Sequence, residues 1–156
     1  MRVLAAAAIF AFSVGAASAA SIQDKTDRFT GVRSVSYSAL PKKDGYTVSL
    51  AAYYGKDDRT PTYVMEILTW SNEWRYLDCN SDAWLLDGNR EESLEAKYDH
   101  SMAGGATVER FVYRPSRETL EKLASAKVAE YKVCNDEQVV SKADMAGIRQ
   151  VLDATK

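Results

Sequence analysis

Along most of the chain, apolar and polar positions alternate. Val35, Tyr37 and Ala39 are interleaved with Ser34, Ser36 and Ser38, the period of two that sends successive side chains to opposite faces of a strand. Pro41-Lys42-Lys43-Asp44-Gly45 interrupts with turn residues. The same period then returns, with Tyr46, Val48, Leu50, Ala52 and Tyr54 set against Thr47, Ser49, Ala51 and Tyr53. Residues 63–70 are rich in β-branched and aromatic side chains and predict a third strand, which Ser71-Asn72 can turn back into a fourth at 74–79. Ala83-Trp84-Leu85-Leu86 runs into Asp87-Gly88, a hairpin signal because glycine tolerates positive φ, and the return strand is expected at 93–98. Residues 107–114 form the next strand, after the Gly104-Gly105 turn.

The period then changes. Pro115-Ser116 opens a helix whose Leu120, Leu123 and Ala124 make an apolar stripe at i, i+3 and i+4. Alternation resumes at 128–134, and Val139-Val140 can extend it. Ser141-Lys142-Ala143-Asp144 resembles a capping box, with Met145, Ile148, Val151 and Leu152 as the core face of a terminal helix. Short connections favour antiparallel pairing. The expected fold is therefore α+β: an antiparallel meander of about seven to eight strands with two C-terminal helices packed on one face. A small closed barrel is the competing architecture.

The N-terminus carries a different pattern. Met1-Arg2 precedes an apolar and small stretch from Val3 to Ala17, closed by Ala17-Ser18-Ala19. That order is the signature of a cleavable signal peptide, and the stretch is shorter than the roughly 20 apolar residues a spanning helix needs. The expected organisation is a signal peptide at 1–19, a flexible polar leader at 20–27 and a single domain at 28–156, in the periplasm or secreted. No later segment is long and apolar enough to form a transmembrane helix. The formal net charge of −2 argues against nucleic acid or anionic membrane surfaces as partners.

Export changes the reading of the two cysteines. Cys79 and Cys134 each end an alternating run and precede a polar turn. In an oxidising compartment such a pair is expected to form a disulfide.

Candidate chemistry is sparse. His100, the one histidine, sits in Tyr98-Asp99-His100-Ser101. Acid, imidazole and hydroxyl are adjacent there, but neighbours on a strand point to opposite faces, and a wet turn is the simpler reading. Asp78, Asn80 and Asp82 imitate the start of a calcium loop, but Ala83 stands where the sharp turn needs glycine and Asn89 where a bidentate glutamate is needed. Glu91, Glu92, Glu95 and Glu109 could supply a carboxylate pair, but nothing sets their separation. No residue is assigned to catalysis, to a metal or to a cofactor. The aromatic residues Trp70, Trp74 and Tyr76, with Tyr53 and Tyr54, are a candidate binding surface if they lie exposed on a sheet. At least one of Tyr53 and Tyr54 must face solvent.

Leu86-Asp87-Gly88, the strand carrying Glu109 and Tyr113, and the helix leading into Val128-Ala129-Glu130-Tyr131 resemble small secreted domains of Gram-negative bacteria. These are turn and packing features and carry no activity across. The sequence is read as an exported non-catalytic binding or structural module for an envelope or extracellular protein or glycan. Two alternatives stay open: an inhibitor presenting the 98–105 loop to an attacking enzyme, and a small hydrolase using His100 with Asp99.

Overall fold

The computed structural model describes residues 21–156 apart from Asn80 and Ser93; the signal peptide expected at 1–19 lies outside them. In chain order the elements are β1 (Ser21–Thr26), β2 (Arg33–Ser38), β3 (Tyr46–Tyr54), β4 (Thr62–Ser71), β5 (Asp82–Leu86), β6 (Asn89–Arg90), β7 (Lys97–Ala103), β8 (Ala106–Tyr113), α1 (Arg117–Ser125), β9 (Ala129–Val133), β10 (Asp136–Val139) and α2 (Lys142–Ala154). The fold is α+β. Its strands divide into two antiparallel sheets, a main one in the order β1-β2-β3-β4-β8-β7 and a second in the order β10-β9-β5-β6. The main sheet is open, with β1 and β7 as edges. No helix of the described residues is long and apolar enough to cross a membrane.

Alternation explains the layers. Tyr37 pairs with Leu50, Leu50 with Met65 and Met65 with Tyr113, a row of core side chains across four strands. All four are buried, and each such side chain contributes roughly 1.5–3 kcal/mol of transfer free energy. Helix α2 lies over β2 and β3, with Met145, Ile148, Val151 and Leu152 buried beneath it, and α1 packs beside it through Leu120, Leu123 and Ala124. The second sheet joins the same core: Trp84 of β5 meets Tyr113 edge-on at 5.8 Å, and Tyr131 of β9 meets Tyr46 at 6.3 Å. Ser116 and Ser141 cap the two helices, accepting from the Thr119 and Asp144 amides.

Four expectations need correction. Residues 21–26, read as flexible leader, form β1; its polar side chains suit an edge strand, and Arg33 of β2 holds Asp24 at 2.8 Å. The strands do not form one meander, because β9 pairs with β5 and builds the second sheet. Residues 74–79 are not a strand. The Asp87-Gly88 turn returns the chain into only two paired residues, Asn89 and Arg90, and the next strand begins at Lys97, so Leu94, Glu95 and Ala96 of the expected strand fall outside it.

Candidate functional site

Loop 72–81 carries Trp74, Arg75 and Tyr76 and lies against the β7–β8 margin of the main sheet. Having no neighbouring strand, it needs other partners for its backbone. Glu109 supplies them. This β8 carboxylate is 1% exposed. It accepts from the Arg75 amide at 3.1 Å, the Tyr76 amide at 2.9 Å and the Tyr98 hydroxyl at 2.6 Å. A carboxylate buried this way is consumed by structure, and it meets the expectation that a buried charge is fully bonded.

A second polar group holds the other side of the loop. The Asp136 carboxylate accepts from the Tyr76 hydroxyl at 2.5 Å and from the Arg75 guanidinium at 2.9 Å, and the Tyr46 and Tyr76 hydroxyls bond one another. Burial pushes the Tyr76 phenol well above the usual tyrosine range, and its bond to Asp136 adds to the rise. Tyr98 is raised in the same way, by burial and then by its bond to Glu109. Both phenols therefore stay protonated as donors. The disulfide between Cys79 and Cys134 closes the loop, with the Cα atoms 6.0 Å apart.

Near the sheet edge, the β7 register places His100 opposite Glu109 and Asp99 opposite Arg110. His100 thus shares the core-side face with Tyr98 and Met102, while Asp99 turns to the outer face and bonds Arg110 at 3.4 Å. The two residues of the hydrolase reading are separated by the strand itself. His100 lies on a strand rather than in a turn, and its ring is exposed. It stacks on Tyr98 at 5.4 Å, and Trp74 meets it edge-on at 5.2 Å. Met102 continues this ledge and is 67% exposed. The 98–105 segment is β7, paired with β8 as far as Ala103, and the Gly104-Gly105 turn at its tip.

The other aromatic candidates are dispersed. Tyr76 is buried at 2% exposure. Trp70 is half-buried near one end of β4 and donates its Nε1–H to the Pro41 carbonyl at 2.7 Å. Tyr53 is exposed on the outer face, paired with Thr62 near the opposite end of β4. Tyr54 is half-buried under the Arg33 guanidinium at 5.1 Å. Of the five, only Trp74 stands with His100 at the β7 edge. Sequence reasoning missed Tyr98 and Met102 as its companions, although their i, i+2, i+4 spacing with His100 was a usable signal.

Among the described residues no group of three or more histidine, cysteine, aspartate or glutamate side chains is placed to hold a metal. The calcium-loop imitation is spent elsewhere: Cys79 is bridged, Asp82 accepts from the Ala96 amide at 3.3 Å, and Asn80 lies outside the described residues. The chain matches no family model, no curated protein and no solved structure.

Proposed function

We propose that the protein is an exported, non-catalytic binding module, working in the periplasm or beyond, that engages a partner protein along the β7 edge. The observation that carries this reading is the ledge of Trp74, His100, Tyr98 and Met102. It sets aromatic rings and an adaptable thioether beside an edge strand. Aromatic side chains and methionine are enriched in protein interfaces, and an open strand edge offers backbone hydrogen bonds to an extended segment. The disulfide supports an oxidising compartment. The opposite facing of Asp99 and His100 speaks against the hydrolase alternative, and pairing of β7 with β8 up to Ala103 leaves the inhibitor alternative only the two-residue Gly104-Gly105 turn.

The test is affinity capture from envelope extract with the parent protein and with the Trp74→Ala/Met102→Glu double variant. A protein retained by the parent and released by the variant is the expected result, provided both forms melt alike. Equal retention by both would place the binding surface elsewhere, and retention of glycan alone would change the partner class.

A further inference from the structure

We propose that a cleft at the far end of the α1–α2 pair binds a small organic phosphate. Separated parts of the chain meet there: Arg59 and Pro61 from the β3–β4 connection, Arg114 and Pro115 from the end of β8, Arg117 from α1 and Lys156 beyond α2. The cleft is a broad depression open to solvent, with a volume of about 550 Å³. That is the size of sites that take small organic ligands, and far more than a bare ion fills. Its charge is one-sided. Its lining holds Arg59, Arg114, Arg117 and Lys156, of which Arg117 is paired with Glu121 and Lys156 with Asp153, leaving two unmatched positive charges.

The four cations differ in what they can still do. Arg117 is committed: its guanidinium donates to Glu121 at 2.7 Å, to the Tyr63 hydroxyl at 2.7 Å and to the Thr155 and Leu152 carbonyls at 2.9 Å each. It is a fixed positive charge in the cleft. Lys156 bonds Asp153 at 2.7 Å. Arg59 and Arg114, in contrast, form no ion pair or side-chain hydrogen bond among the described residues. Two free guanidinium forks from different segments border one cleft beside the fixed Arg117–Glu121 pair. A guanidinium matches a phosphate through two parallel hydrogen bonds, which a carboxylate-poor cleft leaves available. Pro61 and Pro115 add apolar wall, so the ligand should carry a carbon body as well as the anion.

Calorimetric titration of the protein at physiological ionic strength tests this, using glucose 1-phosphate, glycerol 3-phosphate, inorganic phosphate and glucose. Saturable one-to-one binding of at least one organic phosphate is expected, tighter than that of inorganic phosphate, with glucose silent. Arg59→Gln and Arg114→Gln should each weaken it about tenfold or more without moving the melting temperature. Arg90→Gln, on the second sheet, should leave it unchanged. The proposal falls if neither organic phosphate saturates, if inorganic phosphate binds as tightly, or if Arg90→Gln costs as much as the cleft variants. In a parallel titration with phosphatidylglycerol vesicles, binding to the vesicles alone would equally overturn it.

Discussion

Helix α2 and loop 72–81 both cover the core side of the main sheet, and they do so by opposite means. The helix satisfies its own backbone, so its contact with β2 and β3 can be almost wholly apolar. The exceptions are Asp144, which accepts from the Tyr37 hydroxyl at 2.8 Å and the Val48 amide at 3.3 Å, and the Ala154 carbonyl, which accepts from the Arg33 guanidinium at 3.4 Å. The loop has no internal ladder. To bury Tyr76 it must find acceptors for its amides, and Glu109 provides them from within the sheet. The contrast shows two uses of a buried carboxylate: Asp144 ties a regular helix to the sheet through the Tyr37 hydroxyl, whereas Glu109 takes up the amides of backbone that has no ladder of its own.

The contrast can be broken from either side. Replacing both Cys79 and Cys134 by serine opens a closed loop of 55 positions. The expected loss is about 4 kcal/mol in urea unfolding, an upper figure from chain entropy. Glu109→Ala strands two amides and a hydroxyl, and should cost about 3 kcal/mol. Hydrogen exchange should then show the Arg75 and Tyr76 amides losing protection while those of α2 keep theirs. Unchanged protection at the loop would mean that the disulfide and Asp136 hold it without Glu109. Gly147→Ala should do the reverse. A methyl group there would stand 2.2 Å from the Tyr37 ring, and such overpacking costs about 1–3 kcal/mol. Loosening is expected at α2 and β2, with the loop unaffected.

Alkaline titration sharpens the comparison further. Tyr37 is raised by burial and by Asp144, and Tyr76 and Tyr98 by burial and the loop carboxylates. A phenol whose folded pKa is raised gives its full stabilisation below the unfolded value of about 10 and loses it as pH climbs above that. The urea midpoint should therefore be flat up to about pH 10 and fall beyond it. A midpoint that holds well above that pH would show that these hydroxyls are not tied to the fold.

Much of the architecture was legible because it rests on local period. The core face of β3 and the stripes of both helices follow directly from alternation and from i, i+3, i+4 spacing, whereas β4 carries Val64, Leu68 and Trp70 opposite its core residues and β8 buries Glu109 among its own. The disulfide was legible from the turn residues after each cysteine, although Cys79 lies in a loop rather than at the expected strand end. What escaped depends on partners distant in sequence. Trp74-Arg75-Tyr76 alternates like a strand, yet its amides go to Glu109, more than 30 positions away. The polar β1 lacks an apolar face of its own and becomes a strand by pairing with β2. Arg59 and Arg114 carry no local pattern; their meeting in a cleft is a property of the closed fold.

The pairing of β5 with β9 sets an order on assembly. Asp82 aligns with Val133, so the second sheet waits for some 50 further residues before its central pair can form. Until then Trp84 and Leu86 lack the strand beside them, and the Cys79 thiol lacks its partner. Contacts this distant slow folding because loop closure must come before any gain from them. A chain interrupted before Ala129 would hold an exposed β5 edge and a free thiol together. Those two features invite pairing between copies, so an incompletely made chain should be far more prone to aggregate than the finished one.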